Sequence, residues 1–435
     1  MAKVRYIFLA LVTLLGFCSC ERDGLDFNLN VGPFGNVPEE SRKVMLLYEA
    51  GFNSLGGYLK ENIDSLKIGY LPAKGESEDV LLILTHFMDR EGYTKKTSPA
   101  MVRMYKERKA VRVDTLKIWP EGTSLADAGM VTEVFNWMRE QFPASSYSAI
   151  LSSHSTGWLP EDYFNHPEQY EDGDDRYERN NDSYWSSSPF HSFGGHAIAP
   201  RKMQEIELHD LAAAIPYHLD CILFDSCLMG TVEVAWALKD VCSYLIFSPC
   251  EIPAEGFRYN RLLSHLWQSE EPNLQAICLD YYNRYVNDKT YGATVSLVDC
   301  SALDNLASVC RTLFDRYRSG ILNLDGKNVQ YYDRRIGSKY YNVFFDLKDI
   351  VREAGATESD LATLQAALDK VVVFERHTPS FMINIGGMYL DHVCGLSMYL
   401  PAFPDYKRDS WHGTEFLDGF YKSNVSWNDA TGLVE

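Results

Sequence analysis

What this 435-residue chain does not contain narrows it first. No Gly-x-x-x-x-Gly-Lys loop is present to cradle a nucleotide phosphate, and no His-Glu-x-x-His helix offers a zinc site. Ten cysteines occur, but without a Cys-x-x-Cys or any regular spacing, so neither a zinc ribbon nor a disulfide scaffold is indicated. Most lie in apolar runs and read as small core residues. Basic residues are scarce: 41 Lys and Arg stand against 60 Asp and Glu, a formal net charge of −19. Nucleic acid is a poor partner for such a chain, whereas a cationic substrate is attracted to it. No internal repeat is visible. The apolar stretch Ile7–Phe17 is too short to span a bilayer.

That stretch follows Lys3 and Arg5 and precedes Cys20, the layout of an export signal. Phe17-Cys-Ser-Cys20 resembles a loose bacterial lipobox, so residues 1–20 are expected to be a lipoprotein signal peptide with Cys20 lipidated. An ordinary cleaved signal peptide is the alternative. Lipid chains would anchor the protein without spanning the membrane. Acidic residues in Glu21-Arg-Asp-Gly24 resemble the surface-export signal of some gut-bacterial lipoproteins, which points to the outer membrane of the cell envelope. Residues 21–40 are rich in Gly, Pro and Asn and read as a flexible tether.

Beyond the tether the chain is long enough for a large core, with 46% hydrophobic residues overall. Strand-like runs occur at Lys43–Tyr48, Asp79–Phe87 and Ala110–Trp119. Ser124–Asp127 reads as a capping box opening a helix whose apolar face holds Ala128, Val131, Val134, Phe135 and Met138. Residues 159–200 break the pattern with an acidic, aromatic, serine-rich loop; a short helix is expected at Ile206–Ile215 and a strand at Tyr244–Ser248. From about Pro272 helices dominate, with strands near Ala293–Val298, Val371–Phe374 and Leu396–Leu400. Alternating strands and helices predict an α/β fold, a three-layer sandwich around a mostly parallel sheet. A catalytic domain over 41–270 and a C-terminal α/β portion over 271–435 packed on its sheet are expected.

Two segments carry chemistry. Cys221-Ile-Leu-Phe-Asp-Ser-Cys227 is an apolar strand ending in a thiol, followed by helical spacing of Val232, Ala235 and Trp236. A cysteine between a strand end and a helix start is expected to favour thiolate. Tyr147-Ser-Ala-Ile-Leu-Ser-Ser-His154 has the same form. Catalytic groups on open α/β sheets collect at the strands' carboxyl ends, so Cys227 and His154 make a nucleophile and acid/base pair. Asp225, two residues before Cys227, is expected on the same sheet face. Left bare, it would raise the thiol pKa, a conflict that a bound cation removes; the alternative is a carboxylate that caps the following helix. His191 and His196 lack a nearby third metal ligand, and Asp172, Asp174 and Asp175 lack the calcium-loop pattern. No metal site is expected.

These residues resemble the clostripain-like cysteine peptidases of the caspase, gingipain and legumain clan. Asp225, Cys227, Leu228, Met229, Gly230, Glu233 and Val234 match the Asp-x-Cys-Leu-Met-Gly-x-x-Glu-Val pattern. Ser248, Glu251, Gly256 and Tyr259 match a second element, and Gly395, Leu396, Ser397, Tyr399 and Pro401 a late strand. The resemblance spans about Lys43 to Pro404 and implies a caspase-like fold. It also implies an endopeptidase cutting after Arg or Lys through an acyl-enzyme, with peptide or protein substrates. Cys227 and Ser155 would supply the oxyanion N–H groups, Ser155 standing where the clostripain form usually has Gly. Asp225 would lie in the S1 pocket, with Glu251 or Glu255 as a second acidic wall. The chemistry needs no cofactor, although calcium dependence, known for some members, stays open. Zymogen self-cleavage is common in the family, and Arg176 or Arg179 in the loop after His154 is the expected site, with Arg201 and Lys202 as outer candidates. The competing expectation is an inactive lipoprotein of this fold that binds peptides or glycans.

Overall fold

The computed structural model describes residues 42–74, 79–88, 92–161, 193–199, 202–268, 272–324, 326–334, 342–401 and 414–435. The strands of its main sheet are β1 Lys43–Gly51, β2 Val80–Phe87, β3 Ala100–Glu107, β4 Ala110–Ile118, β5 Ser146–Ser152, β6 Leu219–Asp225, β7 Cys242–Phe247, β8 Thr294–Asp299 and β9 Val372–His377. They lie in the order β9-β8-β7-β6-β5-β1-β2-β3-β4. The five central strands, β7 to β2, run parallel, while β3, β4, β8 and β9 pair antiparallel at the two edges. The expected parallel sheet is therefore its centre, inside a mixed nine-stranded sheet.

Eleven helices accompany it among the described residues: α1 Gly56–Lys67, α2 Ala128–Gln141, α3 Leu208–Ala214, α4 Val232–Leu238, α5 Tyr259–Trp267, α6 Leu274–Tyr285, α7 Leu303–Leu322, α8 Leu347–Glu353, α9 Glu358–Val371, α10 Thr414–Asn424 and α11 Ser426–Thr431. Successive residues of a strand face opposite sides, and β1 divides accordingly. Val44, Leu46, Tyr48 and Ala50 join one core with α2, α3, α4 and α7 to α11. Met45 and Leu47 join the other, under α1, α5 and α6. Because both faces are covered, the central strands are apolar almost throughout, as Leu219-Asp-Cys-Ile-Leu-Phe-Asp225 illustrates. Among the described residues no helix is long and apolar enough to cross a membrane.

Several elements differ from the sequence reading. Asp127, not Ser124, caps α2, its side chain accepting from the Met130 N–H at 2.8 Å. Strand β3, next to the edge strand β4, is not expected from the sequence, because Arg103 and Lys106 interrupt its apolar run. The strand expected at Leu396–Leu400 shrinks to Ser397–Met398, paired with Phe345–Asp346 outside the main sheet. Its polar groups turn to the cysteine loop: the Ser397 N–H donates to Gly230 O at 3.0 Å, and the Tyr399 N–H to Glu233 Oε1 at 2.8 Å.

Candidate active site

β5 and β6 are parallel neighbours with Ser152 opposite Asp225. His154 and Cys227 each follow two residues later, so the two loops leave the sheet side by side. They are joined there: Ser155 Oγ donates to the Cys227 carbonyl at 2.5 Å. His154 is buried, with Nε2 2.9 Å from Ser54 Oγ. Among the described residues, the N–H groups of Ser155 and Cys227 donate to no backbone acceptor. Ser155 does not need a glycine conformation, since positive φ falls at Gly157 instead (φ 64°).

The thiol's setting is not the one expected. α4 starts only at Val232, capped by the Thr231 side chain, which accepts from the Val234 N–H at 3.0 Å. Between strand and helix, Leu228 adopts a left-handed conformation (φ 57°), a costly geometry for a branched residue that a packed surrounding must hold. Cys227 thus stands outside the helix end and gains little from it. Its Sγ instead accepts from the Ile252 N–H at 3.4 Å. Burial first, then the Glu251 carboxylate, pushes the thiol up to about 12. Burial pulls His154 down to about 4. At neutral pH the pair rests as thiol and uncharged imidazole. This corrects the expected thiolate.

Asp225 ends β6, 7% exposed. It does not cap a helix. Its Oδ2 accepts from the Tyr259 hydroxyl at 2.6 Å, and its carboxylate accepts from the Phe257 N–H. Burial, opposed by those bonds, raises its pKa to about 6. A Cβ at Gly256 (φ 59°) would meet Oδ2 at 2.3 Å, so only glycine lets this loop close over the carboxylate. Gly256 and Tyr259 of the second motif therefore build the surroundings of Asp225.

Glu251 was expected as an acidic wall for a substrate cation. Instead its Oε2 accepts from Arg334 Nε at 2.7 Å and Nη2 at 2.6 Å, both side chains buried. The charge is balanced internally by a residue whose partnership the sequence reading missed. Glu255 keeps one buried oxygen, Oε2, without a partner. Glu233 is a strut: its Oε1 accepts from the Tyr399 N–H and from the Tyr421 hydroxyl, each at 2.8 Å. It ties α10 and the late motif to the cysteine helix.

Cys20, Arg176, Arg179 and Arg201 lie outside the described residues, as does the side chain of Lys202. Among the described residues no group of three or more His, Cys, Asp or Glu is arranged to hold a metal ion. His196 stacks on Phe52 (centroids 4.5 Å apart), beside His86.

Residues 200–431 match the profile of the clostripain family. An inactive zymogen C11 protease from Parabacteroides distasonis is 27% identical, with 91% of this chain and 99% of that chain covered at a TM-score of 0.70. A secreted C11 cysteine protease from Bacteroides thetaiotaomicron, solved with an irreversible peptide inhibitor, is 22% identical over 90% of this chain and 99% of that one, TM-score 0.68. The second likeness is one of fold. No curated protein matches.

Proposed function

Since the chain belongs to the clostripain family of cysteine peptidases, we propose that it is an endopeptidase cutting after Arg or Lys, with Cys227 as nucleophile and His154 as acid/base. The observation that carries this is the joined pair of strand-end loops. A half-buried thiol and a buried imidazole are held on neighbouring strands, directly beyond a carboxylate with no cation in ion-pair contact among the described residues. The thiol proton passes to His154 as sulfur attacks the scissile carbonyl. The oxyanion is met by the N–H groups of Ser155 and Cys227, and the imidazolium protonates the leaving amine. Water then hydrolyses the thioester, with His154 taking its proton. Asp225 binds the P1 cation by a charge-assisted hydrogen bond.

The resting pair is neutral, and burial is the first cause of the high thiol pKa. Activation must therefore admit substrate dipoles or water to the sulfur. Self-cleavage after Arg176 or Arg179 is the step we assign to this, in keeping with the zymogen relative. Cys20 carries the lipid anchor of an enzyme exported to the outer membrane.

Wild type and Cys227→Ala, run on denaturing gels and assayed on fluorogenic P1-Arg, P1-Lys, P1-Asp and P1-Asn peptides, test the reading. Wild type is expected to run as two fragments and to cut Arg and Lys peptides. Cys227→Ala is expected to run as one band with activity down at least about a thousandfold. Cleavage after Asp or Asn alone, or an active Cys227→Ala, overturns the peptidase assignment made here. A single-band wild type that still cuts Arg peptides removes self-cleavage only.

A further inference from the structure

β1 is an apolar strand that carries, two residues before its end, a carboxylate the chemistry above leaves unused. Glu49 follows Met45 and Leu47 on the sheet face under α1, α5 and α6. It is 0% exposed. Neither Oε1 nor Oε2 has a hydrogen-bond partner. Burial raises its carboxyl well above the usual range, and Asp225 raises it further. A fully buried acid with both oxygens unsatisfied is a costly thing to keep in a core, and such groups call for a partner.

The sheet register shows where that partner would sit. Glu49 lies opposite Ser152 on β5, and Ser152 lies opposite Asp225 on β6. In-register residues of parallel strands point to the same face, with strands about 4.8 Å apart. Glu49, Ser152 and Asp225 therefore form one row at the carboxyl ends of three neighbouring strands, with a small hydroxyl between two acids. Tyr259 leans over the row from α5. Its hydroxyl donates to Asp225 and lies 3.1 Å from Ser152 Oγ, and the charges of both Asp225 and Glu49 raise its pKa.

We propose that Glu49 and Asp225 together floor the P1 subsite and that the pair selects Arg over Lys. The inference rests on the reading that Asp225 faces the P1 cation. A guanidinium is planar, spreads its charge, and offers five N–H donors in a fixed fork, so it can be shared between two carboxylates separated by a strand. An ammonium is a compact, strongly hydrated point charge. It can sit on Asp225 but gains less from the deeper acid. Glu49 binds the far edge of the guanidinium, and its missing partner is supplied by the substrate.

Matched peptides differing only in P1-Arg or P1-Lys test this on activated wild type and Glu49→Gln. Wild type is expected to prefer Arg. Glu49→Gln should lower kcat/KM for Arg about 10- to 100-fold and for Lys by less than about 3-fold, as losing one charge-assisted partner implies. Its Tm should stay near that of wild type, since one unpartnered buried polar group replaces another of the same shape. Glu49→Met, of similar volume and apolar, carries the same prediction should the amide fail to fold. Agmatine and cadaverine as competitive inhibitors make the comparison without any variant: agmatine should bind wild type more tightly. An Arg/Lys ratio unchanged by both substitutions, or equal inhibition of wild type by the two amines, overturns the role of Glu49 and leaves Asp225 untouched. Wild type that cuts neither Arg nor Lys peptides instead overturns the reading on which it rests.

Discussion

Four buried carboxylates, Glu251, Glu233, Asp225 and Glu49, lie on the strands, loops and helix of the sheet's catalytic half, and the fold treats them in different ways. Glu251 is gripped by the Arg334 guanidinium, and Glu233 accepts from the Tyr399 N–H and the Tyr421 hydroxyl. Both serve as ties between distant parts of the chain, the first spanning 83 positions and the second 166 and 188. Asp225 and Glu49 share one row across the strand ends. Asp225 has hydrogen bonds but no ion-pair partner among the described residues, and Glu49 has neither. Burying charge without compensation is costly, so acids of the first kind build structure, and acids of the second kind persist where a ligand completes them. Family motifs do not separate the two kinds. Asp225, Glu233 and Glu251 all belong to motif patterns, yet only Glu251 is paired with a cation among the described residues, and Glu233, tied through Oε1, keeps a buried Oε2 without a partner.

Breaking the balanced side should give the largest effect on folding. Arg334→Gln leaves Glu251 buried and unpaired, which is expected to cost about 3–5 kcal/mol of stability. Urea unfolding of the purified variant measures it. A loss below about 1 kcal/mol would mean that Glu251 is rescued by water, and the contrast drawn here would weaken. A smaller effect is expected at Tyr421→Phe. Glu233 Oε1 keeps the Tyr399 N–H, so the loss should be about 1 kcal/mol. The Arg-to-Lys preference should be unchanged. A shift in that preference would show that the tie reaches the subsite.

Much of this arrangement is legible in the sequence. His154 and Cys227 announce themselves because each ends a short apolar run bounded by small polar residues, and parallel strands bring such ends together. The start of α4 was misjudged because Val232, Ala235 and Trp236 carry helical spacing. The left-handed turn at Leu228, which delays the helix, leaves no mark on a leucine. Glu49 was visible as one acid inside the run Val44-Met-Leu-Leu-Tyr-Glu-Ala50, but its meaning depends on the row it shares with Asp225, a product of strand order. The Arg334–Glu251 pair was beyond reach for the same reason: nothing local links two residues that far apart. Likewise Asp127 replaced Ser124 as the α2 cap, since both are good caps and only the geometry chooses.

The unbalanced side is tested most directly by Asp225→Asn, measured as kcat/KM on P1-Arg and P1-Asn peptides across pH 4.5 to 8. In wild type, the Asp225 carboxyl is raised from 3.8 to about 6, so hydrolysis of the Arg peptide should rise as pH climbs through about 6 and the anion forms. The same raised pKa sets the sign for stability. The buried anion opposes folding above about pH 6, and that opposition fades as pH falls toward 3.8, so Asp225→Asn should be the more stable protein at pH 8 and lose that advantage in acid. Our account predicts that Asp225→Asn folds, loses the rise near pH 6, and loses about 2–4 kcal/mol of selectivity for Arg over Asn. An Asp225→Asn enzyme that cuts the Arg peptide as well as wild type, with the same pH profile, would contradict it.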